Sequence, residues 1–135
     1  MPVRILTVDD DQTIRLLLRR LLQTQPSWEI CGEASDGREA IDKAERLKPD
    51  VIILDLAMPV MNGLQAAERL SQICPEVPLL LVSVQQVTRQ TEEAARRAGF
   101  RGAVTKANGV EVIAGVQALL RKETFFVIDG APHVA

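Results

Sequence analysis

Short apolar segments alternate along the chain with longer segments in which hydrophobic residues recur every three or four positions. The apolar segments predict five strands, at residues 5–8, 29–34, 51–54, 79–82 and, more weakly, 102–104. Segments 51–54 and 79–82 contain no polar residue, which is typical of strands that are buried on both faces of a parallel sheet.

Five amphipathic helices are predicted after these strands. The first carries its apolar face on Ile14, Leu17, Leu18, Leu21 and Leu22. The second begins at Asp36, a capping residue with Glu39 at the capping-box position. The third spans 63–73, and the fourth ends at Gly99. The fifth, at about 112–120, contains Gly115, which is expected to weaken it by roughly 1 kcal/mol relative to alanine.

This order of elements predicts a (βα)₅ fold in the α/β class, with a doubly wound, five-stranded parallel sheet and right-handed crossovers. We expect residues 1–122 to form one domain and residues 123–135 to be a C-terminal tail or the start of a linker. Within this tail, the apolar residues 125–128 either pack back on the domain or pair with another molecule. Residues 129–135 are interpreted as a loose tail.

Composition narrows the class of protein. The chain has 135 residues, 47% of them hydrophobic and 25% charged, and a net charge of -2. This charge argues against binding of nucleic acid or of a membrane surface by this chain. The cysteines, Cys31 and Cys74, are far apart and are expected to be reduced. Neither a signal peptide nor a membrane-spanning segment is visible, so a cytoplasmic location is expected.

Polar residues follow four of the predicted strands at their carboxyl ends. The acidic residues Asp9, Asp10 and Asp11 follow the first strand, and Asp55 follows the third. Ser83 follows the fourth strand and Lys106 the fifth. Because ligands bind at this edge of open α/β sheets, we expect these side chains to form one site.

The chemistry of that site follows from its charge. Carboxylates held close together repel one another unless a cation lies among them, and an all-oxygen ligand set favours Mg²⁺. An aspartate can also attack phosphorus to form an acyl phosphate. Taken singly, each residue has a simpler interpretation as a turn, cap or surface residue, and Asp11 in particular could cap the first helix.

Two segments resemble the receiver domains of two-component response regulators. Residues 51–64, VIILDLAMPVMNGL, are similar to the phosphorylation-site signature of this family, and residues 5–10, ILTVDD, to its acidic pair. Ser83 and Lys106 match further site positions. The sequence is most similar to the subfamily that often carries a C-terminal helix-turn-helix. The resemblance implies a flavodoxin-like sheet with strand order 2-1-3-4-5.

The resemblance also implies a role for each site residue. Asp55 would accept a phosphoryl group from a histidine kinase or phosphotransfer protein. Asp10, Asp55 and the backbone carbonyl of Ala57 would ligate Mg²⁺, or Mn²⁺ in its place, and Asp9 would act through water. Ser83 and Lys106 would hold the phosphoryl group. Such a chain is a signalling phosphoacceptor that assists its own phosphotransfer and dephosphorylation, switches an output interaction, and can form a homodimer.

Several features depart from this family pattern or suggest other functions. Receivers often have an aromatic residue at the position of Ala103 and a proline at that of Ala107.

Two other functions are alternatives to the phosphoacceptor. A Mg²⁺-dependent phosphatase would need an acidic residue at position 57, where this chain has Ala57, and a pseudo-receiver would lack part of the pocket. A solvated charged surface is the favoured interpretation of five arginines; the alternative is contact with a kinase at Arg15 and Arg19 and with an output partner at Arg89, Arg96 and Arg97.

Overall fold

The computed structural model describes residues 2–105, 109–128 and 131–134, which form five βα units followed by two strands. In chain order the elements are β1 (Val3–Val8), α1 (Gln12–Leu22), β2 (Trp28–Ala34), α2 (Gly37–Leu47), β3 (Val51–Leu54), α3 (Gly63–Ile73), β4 (Leu79–Ser83), α4 (Arg89–Ala98), β5 (Gly102–Thr105), α5 (Gly109–Leu120), β6 (Phe125–Ile128) and β7 (Ala131–Val134).

The seven strands that the structure describes belong to one sheet, in the order β2-β1-β3-β4-β5-β6-β7. Strands β1 to β6 pair in parallel, and β7 pairs antiparallel with β6. The predicted (βα)₅ fold and its flavodoxin-like order 2-1-3-4-5 are therefore confirmed. The sheet also has two strands that the sequence pattern did not predict.

Strand β6 covers the outer edge of β5. Its residues Phe125, Phe126 and Val127 are buried, so this apolar run packs back on the domain. The interpretation of residues 129–135 as a loose tail is wrong for Ala131–Val134, which form β7 against β6. Residues 129, 130 and 135 lie outside the described part of the chain. The domain boundary at 122 and the start of a linker stay predictions.

The sheet separates two hydrophobic layers. Leu6 and Ile52 point towards the layer formed with α2, α3 and α4, whereas Ile5 and Ile53 point towards α1 and α5. This alternation is the two-residue period of a strand. One predicted core position is wrong: Leu17 on α1 is 54% exposed, because the buried face of that helix is narrower than the apolar pattern implied.

Side-chain caps begin helices α2 and α3. Asn62 and Gln65 form a reciprocal capping box at α3. At α2, Asp36 accepts a hydrogen bond from the Glu39 N–H, but the Glu39 carboxylate binds the N–H of Ser35 and leaves the predicted box incomplete.

Gly115 permits close packing of α5 against the sheet. A Cβ atom at this position would lie 3.3 Å from the Leu80 side chain.

Candidate acidic metal site

Three aspartates meet at the carboxyl ends of the adjacent strands β1 and β3. Asp9 and Asp10 follow β1, and Asp55 follows β3. One carboxylate oxygen from each lies within 4.8 Å of those from the other two. The structure thus brings together the three acidic residues that the strand-end pattern predicted to be neighbours.

The cluster is rooted in the sheet. Asp9 and Asp55 are only 1% and 7% exposed, whereas Asp10 is exposed to solvent. The Asp55 N–H donates to the Val8 carbonyl (2.9 Å), and the Asp9 N–H donates to the Ala34 carbonyl (3.0 Å). The backbone pairing therefore continues one residue past each strand and fixes the positions of both buried acids.

The third acid after β1, Asp11, has a structural role. Its carboxylate accepts hydrogen bonds from the N–H groups of Thr13 (2.8 Å) and Ile14 (3.4 Å) and so caps α1. Its own N–H donates to Asp9 Oδ1 at 2.9 Å. Asp11 is thus the helix cap that the sequence allowed, and it helps to orient Asp9.

Gly63 shapes the loop that follows Asp55. A Cβ atom at position 63 would lie 2.3 Å from the Asp55 carbonyl oxygen and 3.0 Å from the Leu56 Cα. The Gly63 N–H also donates to the Leu56 carbonyl at 2.9 Å. Because backbone atoms cannot move aside as a flexible side chain can, only glycine fits here. Sequence reasoning included Gly63 in the signature but gave it no role.

The same loop contains a strained residue. Val60 has φ of 68° and is 75% exposed. It is the central residue of a three-residue turn in which the Met61 N–H donates to the Pro59 carbonyl at 2.6 Å. A β-branched residue is rarely found at positive φ, so this turn stores conformational strain in the loop that follows Asp55.

Ser83 ends β4, the strand next to β3, and so lies at the same edge of the sheet. It is 9% exposed, and its hydroxyl oxygen accepts a hydrogen bond from the Gln85 N–H at 3.2 Å. Its register partner on β5 is Thr105. Lys106, the next predicted site residue, lies outside the described residues. Ala57 is exposed in the loop after β3, and the role of its carbonyl stays a prediction.

A network of charged residues contacts the carboxyl end of β1. Arg15 Nη1 donates to the Asp9 carbonyl oxygen at 2.6 Å, and Arg15 Nε donates to Glu33 Oε1 at 3.1 Å. Arg19 Nε donates to the other Glu33 oxygen at 2.9 Å. Burial raises the pKa of Glu33, but the hydrogen bonds and charges of Arg19 and Arg15 outweigh it and hold the pKa below its usual range.

The sequence pattern did not identify Glu33 as part of the site, and it left Arg15 and Arg19 either as a solvated charged surface or as a contact with a kinase. Pairing with Glu33 makes both arginines part of the fold. The missing information was the register of β2 on β1, which places Glu33 level with Thr7. The strand pattern of β2 alone does not reveal that register.

Within residues 2–105 and 109–128, helices are too short or too polar to cross a lipid bilayer.

Comparison with known proteins shows the family. The sequence-family model of the response regulator receiver domain matches residues 5–117 of this chain. The chain is 35% identical over 106 residues to the chemotaxis protein CheY of Thermotoga maritima, covering 78% of this chain and 87% of that protein. It is 39% identical over 102 residues to a protein-glutamate methylesterase/protein-glutamine glutaminase of Pyrococcus abyssi, covering 76% of this chain. The match spans only 27% of that longer relative.

A solved structure agrees with this assignment. A two-component response regulator of the LuxR family from Aurantimonas sp. SI85-9A1 superposes with a TM-score of 0.86 at 28% identity. The superposition covers 90% of this chain and 87% of that one. Fold, sequence and the acidic cluster therefore agree that the chain belongs to the response regulator receiver domain family.

Proposed function

We propose that Asp55 accepts a phosphoryl group from a histidine kinase or phosphotransfer protein in a Mg²⁺-dependent reaction, and that this modification switches an output interaction. The observation that carries the proposal is the gathering of the Asp9, Asp10 and Asp55 carboxylate oxygens within 4.8 Å of one another. Such a group combines a nucleophile with a site for a cation.

The donor set fits a hard divalent cation. Three carboxylates at this spacing repel one another, and a cation among them offsets the repulsion. Mg²⁺ prefers oxygen ligands and keeps several waters, which suits a cluster with one exposed member. In this proposal Asp10, Asp55 and the Ala57 carbonyl hold Mg²⁺ directly, Asp9 acts through water, and Mn²⁺ can replace Mg²⁺. The bound ion supplies charge neutralisation for the incoming phosphoryl group.

The chain's own groups would carry the transfer. A carboxylate oxygen of Asp55 attacks phosphorus, an O–P bond forms, and the P–N bond of the donor phosphohistidine breaks with its electron pair leaving on the imidazole. The Ser83 hydroxyl oxygen accepts a hydrogen bond from the Gln85 N–H, which leaves its own O–H able to donate. In this proposal the Ser83 O–H donates to a phosphoryl oxygen. Lys106 would bind another phosphoryl oxygen.

In this proposal the chain is a switch and does not turn over a separate substrate. The acyl phosphate on Asp55 is lost again to water within the same pocket. Two residues beyond Asp55, where a phosphatase needs an acid for its leaving group, the side chain is that of Ala57. An alanine has no proton to donate, so the phosphoacceptor function is favoured over the phosphatase.

The partners belong to the same proposal. A cytoplasmic kinase or phosphotransfer protein supplies the phosphoryl group, and the output is an interaction with another protein or a second copy of the chain. The net charge of -2 disfavours direct binding of this chain to nucleic acid or to an anionic membrane.

The proposal is tested by incubating the protein with a small phosphodonor and Mg²⁺ and measuring the phosphorylated fraction by intact-mass spectrometry. Wild type should form an acid-stable, base-labile adduct, and a chelator should suppress it. Asp55→Asn should form none. Asp11→Asn is the matched control, because asparagine also caps helices and Asp11 lies outside the cluster. Undiminished labelling of Asp55→Asn would show that another residue is the acceptor.

A further inference from the structure

We infer that Arg15 is a positioning residue for the acidic cluster. It fixes the peptide group between Asp9 and Asp10 and thereby directs the Asp10 carboxylate towards the cation. This inference rests on the cation site of the proposed function and adds a residue from outside that site.

The contact that carries the inference is the hydrogen bond from Arg15 Nη1 to the Asp9 carbonyl oxygen, at 2.6 Å. Peptide groups are planar, so the orientation of this carbonyl also sets the N–H and Cα directions of Asp10. The Arg15 side chain is only 17% exposed, and water therefore competes weakly for this bond.

Arg15 is itself held in place from β2. Its Nε atom donates to Glu33 Oε1 at 3.1 Å, while Arg19 binds the second oxygen of the same carboxylate. The Glu33 backbone carbonyl in turn accepts a hydrogen bond from Lys43 Nζ. The planar guanidinium of Arg15 thus joins the end of β1 to β2 with two bonds of fixed direction.

Asp10 is the member of the cluster that depends most on its backbone. Asp9 is buried, its N–H donates to Ala34, and its Oδ1 accepts from the Asp11 N–H. Asp55 is buried and its N–H donates to Val8. Asp10 is exposed, so packing restricts its side chain less, and the peptide held by Arg15 provides the orientation.

Charge and positioning predict opposite effects when Arg15 is replaced. Loss of a positive charge near a cation site strengthens cation binding by Coulomb's law. Loss of positioning weakens it, as replacement of outer residues that orient metal ligands typically does. Arg19 is the matched control, because it lies one turn along the same helix and also binds Glu33. It donates to Glu33 Oε2 and does not contact the Asp9 carbonyl.

The experiment measures the affinity for Mn²⁺ from the electron paramagnetic resonance signal of the free ion, without any phosphodonor. We expect Arg15→Gln to weaken binding about ten-fold. Arg19→Gln should leave it unchanged or strengthen it up to about three-fold. Arg15→Lys should recover part of the affinity, since lysine can still donate to the carbonyl but lacks the fork that also binds Glu33. Thermal unfolding of each variant confirms that it is folded at the assay temperature.

Three results would overturn the inference. Arg15→Gln could bind Mn²⁺ as tightly as wild type or more tightly, which would leave only the charge effect. Both glutamine variants could lose affinity equally, which would assign the effect to the Glu33 pairs in general. Absence of Mn²⁺ binding by wild type would remove the cation site itself, and with it the proposed function, whereas the first two results leave that function standing.

Discussion

Phe126 of β6 lies in register with Ala103 of β5, and both are fully buried in the layer beneath α4. The guanidinium of Arg96 on α4 lies over the Phe126 ring, with its Cζ atom 4.1 Å from the ring centroid. The aromatic side chain that receivers often carry at the position of Ala103 is thus absent from β5, and the adjacent strand supplies one. This pairing joins β6 to the core of the domain.

Replacing Phe126 by alanine should destabilise the fold by about 3–5 kcal/mol, because it removes a fully buried ring and leaves a cavity. Phe126→Leu, which keeps most of the apolar volume, should cost clearly less. Urea unfolding followed by circular dichroism measures both changes. A loss below about 1 kcal/mol for Phe126→Ala would mean that β6 contributes little to the core.

Gly63→Ala should destabilise the protein by about 3 kcal/mol and lower phosphoryl uptake, because its Cβ would lie 2.3 Å from the carbonyl oxygen of Asp55. Gly109→Ala is the control, since its Cβ would meet the end of the flexible Leu21 side chain at 3.1 Å. That variant should change the stability by less than about 1 kcal/mol. Equal stabilities in urea for the two variants would contradict the close approach at Gly63.

Val60→Gly should stabilise the protein by about 0.5–1 kcal/mol, because relief of positive φ outweighs the greater entropy of the unfolded chain. Val84 is a matched valine, 69% exposed in the loop after β4 and without positive φ. Val84→Gly should therefore destabilise by about 0.5–1 kcal/mol. If both variants shift the urea midpoint in the same direction, Val60 is unstrained.

Low pH should reduce the contribution of Glu33 to the free energy of unfolding. Its folded-state pKa is held below the unfolded value of about 4.3, so the folded protein binds fewer protons there and the stabilisation is present above that value. It is lost as the pH falls through the lower, folded-state pKa. The stability difference between wild type and Glu33→Gln should be constant above about pH 5 and shrink below it. A difference that stays constant at acid pH would contradict the pairing with Arg15 and Arg19.

Most of the fold could be predicted because its signals are local. Apolar runs such as 51–54 and 79–82 are strands in the structure, and α3 spans Gly63–Ile73 as its periodicity predicted. The sequence showed that residues 125–128 are apolar, but it did not predict that they pair with β5. The edge of β5 becomes available for pairing only once the sheet has formed. Leu17 was misplaced because a hydrophobic period does not show how wide the packed face of a helix is.

The residues of the site also fall into those that local sequence signals predict and those that they do not. Asp9, Asp10 and Asp55 were predicted as neighbours because parallel strands bring their carboxyl ends to one edge. Glu33 and the roles of Arg15 and Gly63 were missed, because they depend on strand register and on backbone distances of a few ångströms. Those quantities have no signature in the sequence.

The location of the phosphoryl group after treatment with a small phosphodonor and Mg²⁺ tests the central claim most directly. Borohydride reduces an aspartyl phosphate to homoserine, so peptide mass spectrometry can identify the acceptor residue. We expect homoserine at position 55, dependent on both phosphodonor and Mg²⁺. Homoserine at position 9, 10 or 11 in its place, or unmodified Asp55 in a folded protein, would contradict the account.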